Sequence, residues 1–142
     1  MRRAAIVLLA VAFLGGCSKA GEYSGRGVTV TMRDYAFAPA ELTVREGETV
    51  NFRFVNRGRV RHDAFIGDKA AQRMHEEQKR MSERTETEHP GAHDPGTEDA
   101  ITVEPGKTGR LTYRFERKGV ILIGCHEAGH YSRGMVLRVT VR

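Results

Sequence analysis

The sequence has no tryptophan, only two cysteines, and no long apolar run beyond its first twenty residues. It has no C-x2–4-C pair, which argues against structural zinc, because such sites usually carry several thiolates at that spacing. A glycine-rich phosphate loop, a helix-turn-helix signal and interleaved aromatic and basic residues are also missing. The formal charge of +5 is mild and evenly mixed, so we expect no nucleic acid partner.

The first residues have the features of an export signal. Two arginines precede an apolar stretch over residues 4–14, which is too short to span a bilayer comfortably and long enough for a signal peptide. The segment ends in LGGC (14–17), which resembles the lipobox of bacterial lipoproteins. That resemblance implies cleavage after residue 16 and a lipid on Cys17. The alternatives are an ordinary signal peptide beside an unrelated cysteine, or a disulfide between Cys17 and Cys125.

The residue after the lipobox cysteine bears on the membrane. It is Ser18 rather than Asp, which by the same resemblance favours the outer membrane and a periplasmic location. We therefore expect a signal peptide at 1–16, an anchor and linker at 17–26, and one domain at 27–142. Cleavage leaves 126 residues with a charge of about +3, a length that supports a single domain with a sizeable core.

Alternating apolar and polar residues predict β-strands in the body of the chain. The pattern occurs at 28–32 (VTVTM), 49–56 (TVNFRFVN), 111–117 (LTYRFER) and 135–142 (MVLRVTVR). Turn signals such as Glu46-Gly47 and Pro105-Gly106 separate these stretches. Short strands of this kind with few helices between them indicate an antiparallel Greek-key β-sandwich.

Residues 68–99 depart from this pattern. They contain nine acidic and five basic residues, and good helix formers predict a helix over 69–84. The apolar stripe of Ala71, Met74 and Met81 is thin. We therefore expect a partly helical insertion that lies over the sandwich rather than in its core, with the remainder as loop.

The stretch GCHEAGHYSRGM (124–135) holds the chemistry. Cys125, His130 and Met135 follow each other with the spacing C-x4-H-x4-M. A thiolate, imidazoles and a thioether form a soft donor set that suits copper in a trigonal site with a long axial Met. A second imidazole must come from elsewhere, and His62, which we place at the end of a strand, is the candidate.

These residues and their surroundings resemble the cupredoxins, the superfamily of plastocyanin and azurin. The resemblance covers about residues 27–66 and 101–142 and includes Phe37-Ala38-Pro39 and Asn56-Arg57-Gly58. It implies a Greek-key sandwich that binds one type 1 (blue) copper. It also implies the ligands His62, Cys125, His130 and Met135.

Two further groups of possible ligands remain. His126 follows the ligand cysteine, as in multicopper oxidases, but the chain has no His-x-His pair to complete such a centre. We therefore interpret His126 as a non-ligand, exposed near the copper or in contact with a ligand. The insertion resembles those of periplasmic copper-tolerance cupredoxins, although it is poorer in Met and His. A weaker second copper site there remains open, and its candidate donors are Met74, His75, Met81, His89 and His93.

Two functions share this predicted site. The insertion and the lipid anchor favour copper handling in the periplasm, whereas the simple fold favours an electron carrier that serves a redox partner. A nucleophilic Cys-His enzyme would need an orienting group and an oxyanion hole, for which the sequence offers no candidates. We expect a monomer that is not an enzyme, and whose partner is a copper-handling or redox protein.

Overall fold

The structure is a computed structural model that describes residues 25–86 and 99–142. The predicted signal peptide, Cys17 and the donors His89 and His93 lie outside these residues. The elements, in chain order, are β1 (Arg26–Arg33), β2 (Ala36–Ala38), β3 (Glu41–Val44), β4 (Glu48–Asn56), β5 (His62–Gly67), α1 (Lys69–Glu86), β6 (Ala100–Val103), β7 (Thr108–Phe115), β8 (Gly119–Gly124), a 3-10 turn (Tyr131–Arg133) and β9 (Val136–Val141).

The strands form two sheets, which confirms the predicted β-sandwich. One sheet has the order β2-β1-β4-β7 and the other β3-β9-β8-β5-β6. The expectation of purely antiparallel pairing is wrong, because β1 pairs with β4, and β3 with β9, in parallel. Alternation of apolar residues reports which face of a strand is buried but carries no information about the direction of its neighbour.

The core lies between the sheets. Each sheet buries one face of its strands, and the fully buried side chains include Met32, Phe52 and Phe54 from the first sheet and Ile123 and Leu137 from the second. The four predicted strands are present as parts of β1, β4, β7 and β9. Their alternation is visible because the opposite face of each strand meets solvent.

Strands β5 and β8 do not alternate. In β5 every residue except Phe65 is buried, because α1 packs over the outer face of β5 and β8. The helix begins after Asp68, whose Oδ1 accepts hydrogen bonds from the main-chain N–H groups of Ala70 and Ala71, both at 2.8 Å. It ends two residues beyond the predicted limit of 84. Among the described residues, no helix is long and apolar enough to cross a membrane.

The side of α1 that faces the sandwich is polar. Met74 and Met81, from the predicted apolar stripe, are each 63% exposed. Gln72 is the most buried position, and the half-buried ones are Ala71, His75, Glu76 and Lys79, which recur at helical spacing along one face. Gln72 is fully buried between the helix and the strands β5 and β8, so the insertion lies over the sandwich as predicted, outside the apolar core between the sheets.

Candidate metal centre

The loop between β8 and β9 carries Cys125, His130 and Met135 and is held by its own main chain. The Cys125 N–H donates to the Met135 carbonyl and the Met135 N–H donates to the His130 carbonyl, both at 3.1 Å. Gly129 and Gly134 have φ values of 76° and 88°, a conformation that other residues seldom adopt. These turns bring the two ends of the loop together.

The structure brings three of the predicted donors into one buried cluster. His62 Nδ1 lies 3.2 Å from His130 Nδ1 and 3.8 Å from Cys125 Sγ, and Cys125 Sγ lies 3.4 Å from His130 Nδ1. In the part of the chain that the structure describes, it is the one group of three or more His, Cys, Asp or Glu side chains close enough to share an ion. His62 is the first residue of β5, not the end of a strand as predicted.

The dimensions of this triangle fit a single ion. Zinc bonds of about 2.0 Å to imidazole and about 2.3 Å to thiolate set the scale for such metals. A trigonal arrangement then separates two nitrogens by about 3.5 Å, and nitrogen from sulfur by about 3.7 Å. The three observed separations lie around these values, and two imidazoles with one thiolate form the donor set of a type 1 copper site.

Met135 adjoins the triangle through its main chain. Its side chain is fully buried and belongs to the same core cluster as Cys125 and Leu137. The hydrogen bonds from Cys125 and to His130 fix its backbone beside both donors. Its role as the axial ligand remains a prediction.

The buried position also controls protonation. Burial, reinforced by the nearby carboxylate of Asp63, raises the pKa of the Cys125 thiol. Burial lowers the pKa of His62, and the neighbouring His130 acts in the same direction. Without metal, the site therefore favours a neutral thiol and a neutral His62 imidazole. A metal ion must displace the thiol proton to form the thiolate.

His126 points away from the triangle. It is buried, 4% exposed, so the expectation of an exposed imidazole is wrong. Its Nε2 lies 2.7 Å from Gln72 Oε1, and its ring stacks on Tyr131 at 4.5 Å between centroids. Its backbone N–H donates to Asp63. His126 thus connects the ligand loop to the insertion and is no member of the donor triangle.

Gln72 sets the tautomer of His126. The Gln72 amide nitrogen donates to the carbonyls of Phe65, Gly67 and Leu122 at 3.0, 3.3 and 2.9 Å. The amide oxygen must then face His126, so the His126 Nε2 carries the proton of their hydrogen bond. Burial lowers the pKa of His126 to about 4, which agrees with a neutral ring.

Ion pairs between side chains form a second link from α1 to the ligand loop. Lys79 Nζ lies 2.8 Å from Asp63 Oδ2 and 3.0 Å from Glu127 Oε1. Burial lowers the pKa of Lys79, but the two carboxylates outweigh that effect and raise it. Glu127 also pairs with Arg61 at 3.1 Å. The helix, β5 and the ligand loop are therefore joined beside the donor triangle.

The residues that sequence reasoning missed support the donors without belonging to the triangle. They are Asp34, Asp63, Gln72 and Lys79. Polar residues at 72, 75, 76 and 79 repeat at helical spacing, and this repeat was an available sign that one face of α1 binds polar partners. Nothing in the sequence indicates which partners these are.

Three of the possible donors of the insertion, Met74, His75 and Met81, lie within the described residues, and the second copper site remains a prediction. Met74 and Met81 are exposed, whereas the His75 ring stacks on Phe65 at 4.1 Å and meets the His126 ring at 5.1 Å between centroids.

Comparison with known proteins agrees with the geometry. Residues 19–142 match the family model described as "Multicopper oxidase". A "Copper-resistant cuproprotein CopI" from Rubrivivax gelatinosus is 35% identical over 82% of this chain and 67% of its own length. The CopI of Pseudomonas aeruginosa is 30% identical over 84% and 77%.

Solved structures show the same fold. An auracyanin from Roseiflexus castenholzii has a TM-score of 0.68 at 20% identity over 83% of this chain and 98% of its own. Auracyanin A, a "blue" copper protein from Chloroflexus aurantiacus, has a TM-score of 0.59 at 25% identity over 82% and 99%. Together with the buried donor triangle, the family model and the CopI relatives identify the cofactor as copper. The chain therefore belongs to the cupredoxin-fold copper proteins of the multicopper oxidase family model, together with the CopI copper-resistant cuproproteins.

Proposed function

We propose that this chain handles copper in the bacterial envelope through one type 1 centre, with His62, Cys125, His130 and Met135 as its ligands. The observation that carries the proposal is the buried triangle of two imidazoles and one thiol. The relatives of this chain are named for copper resistance, and this favours copper tolerance as its role. When bound, copper supplies single-electron chemistry between Cu(I) and Cu(II).

The protein's own part in this function is to hold the donors still. His62 begins a strand, Cys125 directly follows another, and main-chain hydrogen bonds fix the loop that bears His130. All three donor residues are at least nine-tenths buried, so water has little access to the ion. A rigid, dry donor set favours a change of oxidation state with little rearrangement.

An absorption spectrum tests the copper centre. Copper-loaded protein should show an intense visible band, because charge transfer from thiolate to Cu(II) requires a bond between Cys125 and copper. Cys125→Ser should abolish the band, whereas His126→Gln should retain it. Metal analysis should give one tightly bound copper per chain, and a second copper bound equally tightly would favour an oxidase instead. A colourless adduct of the unaltered protein, with Cys125 open to alkylation, would contradict the proposal.

A deletion strain separates tolerance from electron transfer. Under the tolerance proposal, cells that lack the protein grow poorly at high copper and respire normally, and only a copy with Cys125 intact restores growth. The alternative is a dedicated electron carrier, which the fixed donors also suit. In that case a partner's oxidation rate should collapse at ordinary copper levels. Normal growth of the deletion strain at high copper would exclude the tolerance role.

We further propose that Cys17 anchors the protein by a lipid to the outer membrane, facing the periplasm. The lipobox-like LGGC at 14–17 supports this. Cys17→Ala should move the protein from the membrane fraction to the soluble periplasmic fraction, or block its processing. Density-gradient separation of inner and outer membranes identifies the membrane. Unchanged membrane association of the variant would argue against the anchor.

A further inference from the structure

The turn between β1 and β2 touches both imidazoles of the donor triangle. Asp34 Oδ1 lies 3.6 Å from His62 Nε2. The ring of the next residue, Tyr35, meets the His130 ring edge-on, with 4.9 Å between centroids. Two adjacent side chains of one short turn therefore reach the two histidines of the site from outside.

His62 Nε2 is buried and has no hydrogen-bond partner. Since Nδ1 faces the donor triangle, a metal on Nδ1 requires the proton on Nε2. A buried N–H group needs an acceptor, and metal-bound histidines commonly donate this proton to a carboxylate. The Asp34 carboxylate is the nearest charged acceptor, and a shift of a few tenths of an ångström would close the hydrogen bond.

The surroundings of Asp34 are arranged for this approach. Arg59 holds the carboxylate through its main-chain N–H at 2.9 Å and its side-chain Nε at 2.7 Å. A Cβ on Gly58 would lie 2.5 Å from both Asp34 Oδ1 and His62 Nε2, so any larger residue there would push the two groups apart.

Tyr35 has an unusual backbone. Its φ of 68° is the one positive value for a non-glycine residue in the described ranges. This conformation is unfavourable for an aromatic residue and is often found at functional sites. The guanidinium of Arg133 lies 4.6 Å from the ring centroid of Tyr35, so the ring is held between a ligand histidine and a cation. Glycine would fit the backbone better but would leave His130 uncovered.

We infer that the Asp34-Tyr35 turn is a positioning element of the copper centre, in which Asp34 accepts the His62 Nε2–H and Tyr35 covers His130. This inference rests on the proposed ligand set. It assigns to the turn two separate effects: Asp34 strengthens copper binding, and Tyr35 slows the exchange of copper with solvent. Neither residue bonds to the metal.

Paired substitutions test the role of Asp34, because the chain offers a matched control. Glu48 also accepts from an arginine Nε and a main-chain N–H, each at 2.7 Å, and its side chain is 22% exposed against 21% for Asp34. It lies at the opposite end of β1. Asp34→Ala should lower Cu(II) affinity in a chelator competition by about tenfold or more, and Glu48→Ala should not. Asp34→Asn, which keeps an acceptor oxygen, should fall between them.

Tyr35→Gly tests the cover. The metal-free variant should be at least as stable as the parent, because glycine accepts positive φ, yet a soluble chelator should remove its copper several-fold faster. Tyr35→Phe should behave like the parent. Unchanged affinity in Asp34→Ala, or unchanged removal rates in Tyr35→Gly, would overturn the corresponding half of the inference. Absence of the thiolate band in the unaltered protein would instead remove the proposed function.

Discussion

Gln72 shows how much one side chain can contribute to this site. Its amide contacts three carbonyls on β5 and β8 and the imidazole of His126. It therefore joins the inserted helix to both strands that lead to the donors. No apolar residue could replace it without leaving several buried polar groups unpaired.

We predict that Gln72→Leu destabilises the protein by about 2–4 kcal/mol, because unpaired buried groups cost about 1–3 kcal/mol each and some can find water. Chemical denaturation of the metal-free protein measures this. Gln78→Leu is the control, since Gln78 is exposed on the same helix and its replacement should change stability by no more than about 0.5 kcal/mol. Equal losses in both variants would show that the hydrogen bonds of Gln72 contribute little.

The three residues of the donor triangle could be predicted from the sequence, and the residues that support them could not. Cys125 and His130 are recognisable because few other roles suit that combination with Met135 at that spacing, and the resemblance to the cupredoxins pointed to His62. His126 has the same imidazole group as the donor histidines, but its role depends on its contact with Gln72, which lies 54 positions earlier in the chain. Its burial under α1 could not be read from the sequence, because the packing of the insertion was unknown.

Among the elements of the fold, α1 differs most from what the sequence predicts. Removing residues 70–98 would break the contacts of Gln72 with β8 and of Lys79 with β5 and the ligand loop. Deletion would uncover β5 and remove Gln72 from His126 and Lys79 from Asp63. Point variants on α1 are therefore the better test of what the helix does.

Lys79→Met should destabilise the metal-free protein by about 3 kcal/mol, the low end for breaking a buried ion pair, because the Asp63 side chain is only 4% exposed. It should also alter the visible band, since Asp63 binds the backbone of His126 beside Cys125. Lys69→Met, at the exposed start of the helix, is the matched control. An unchanged spectrum would show that this link supports the fold alone.

The outer side of α1 offers a different experiment. Met74 and Met81 are exposed soft donors on this side. Replacing both with glutamine should leave the band and the stability unchanged. If the helix handles additional copper, the double variant should lower copper resistance in cells. Full resistance would limit copper handling to the central site.

Across the whole molecule, copper binding should appear as stability. A ligand present at a hundred times its dissociation constant adds about 2.7 kcal/mol to the folded state. Copper should therefore raise the melting temperature of the parent by several degrees and that of Cys125→Ser far less. The same melting measurement with zinc in place of copper serves as a comparison. An equal rise in both proteins would mean that copper binds elsewhere.

The sandwich itself could be predicted where one face of a strand meets water. Strands β1, β4, β7 and β9 alternate, whereas β5 and β8 are covered on their outer side by α1 and lose the signal. The parallel pairs were also hidden, because strand direction depends on connections rather than on the pattern of any one strand. The resemblance to the cupredoxins, rather than the periodicity of the strands, predicted which residues form the two halves of the fold.

The direction of β1 determines how far the copper site can lie from an N-terminal membrane anchor. The strand starts at Arg26, beside Thr43 and Glu48, and its last residue precedes Asp34 at the copper end. Eight residues advance about 26 Å, and the chain from residue 17 to 25 can extend by about 30 Å at most. A lipid on Cys17 would therefore confine the copper to within about 60 Å of the bilayer surface. The anchored protein would stay in a thin layer beside its membrane. Any protein that gives copper to it or takes copper from it would then have to enter that layer.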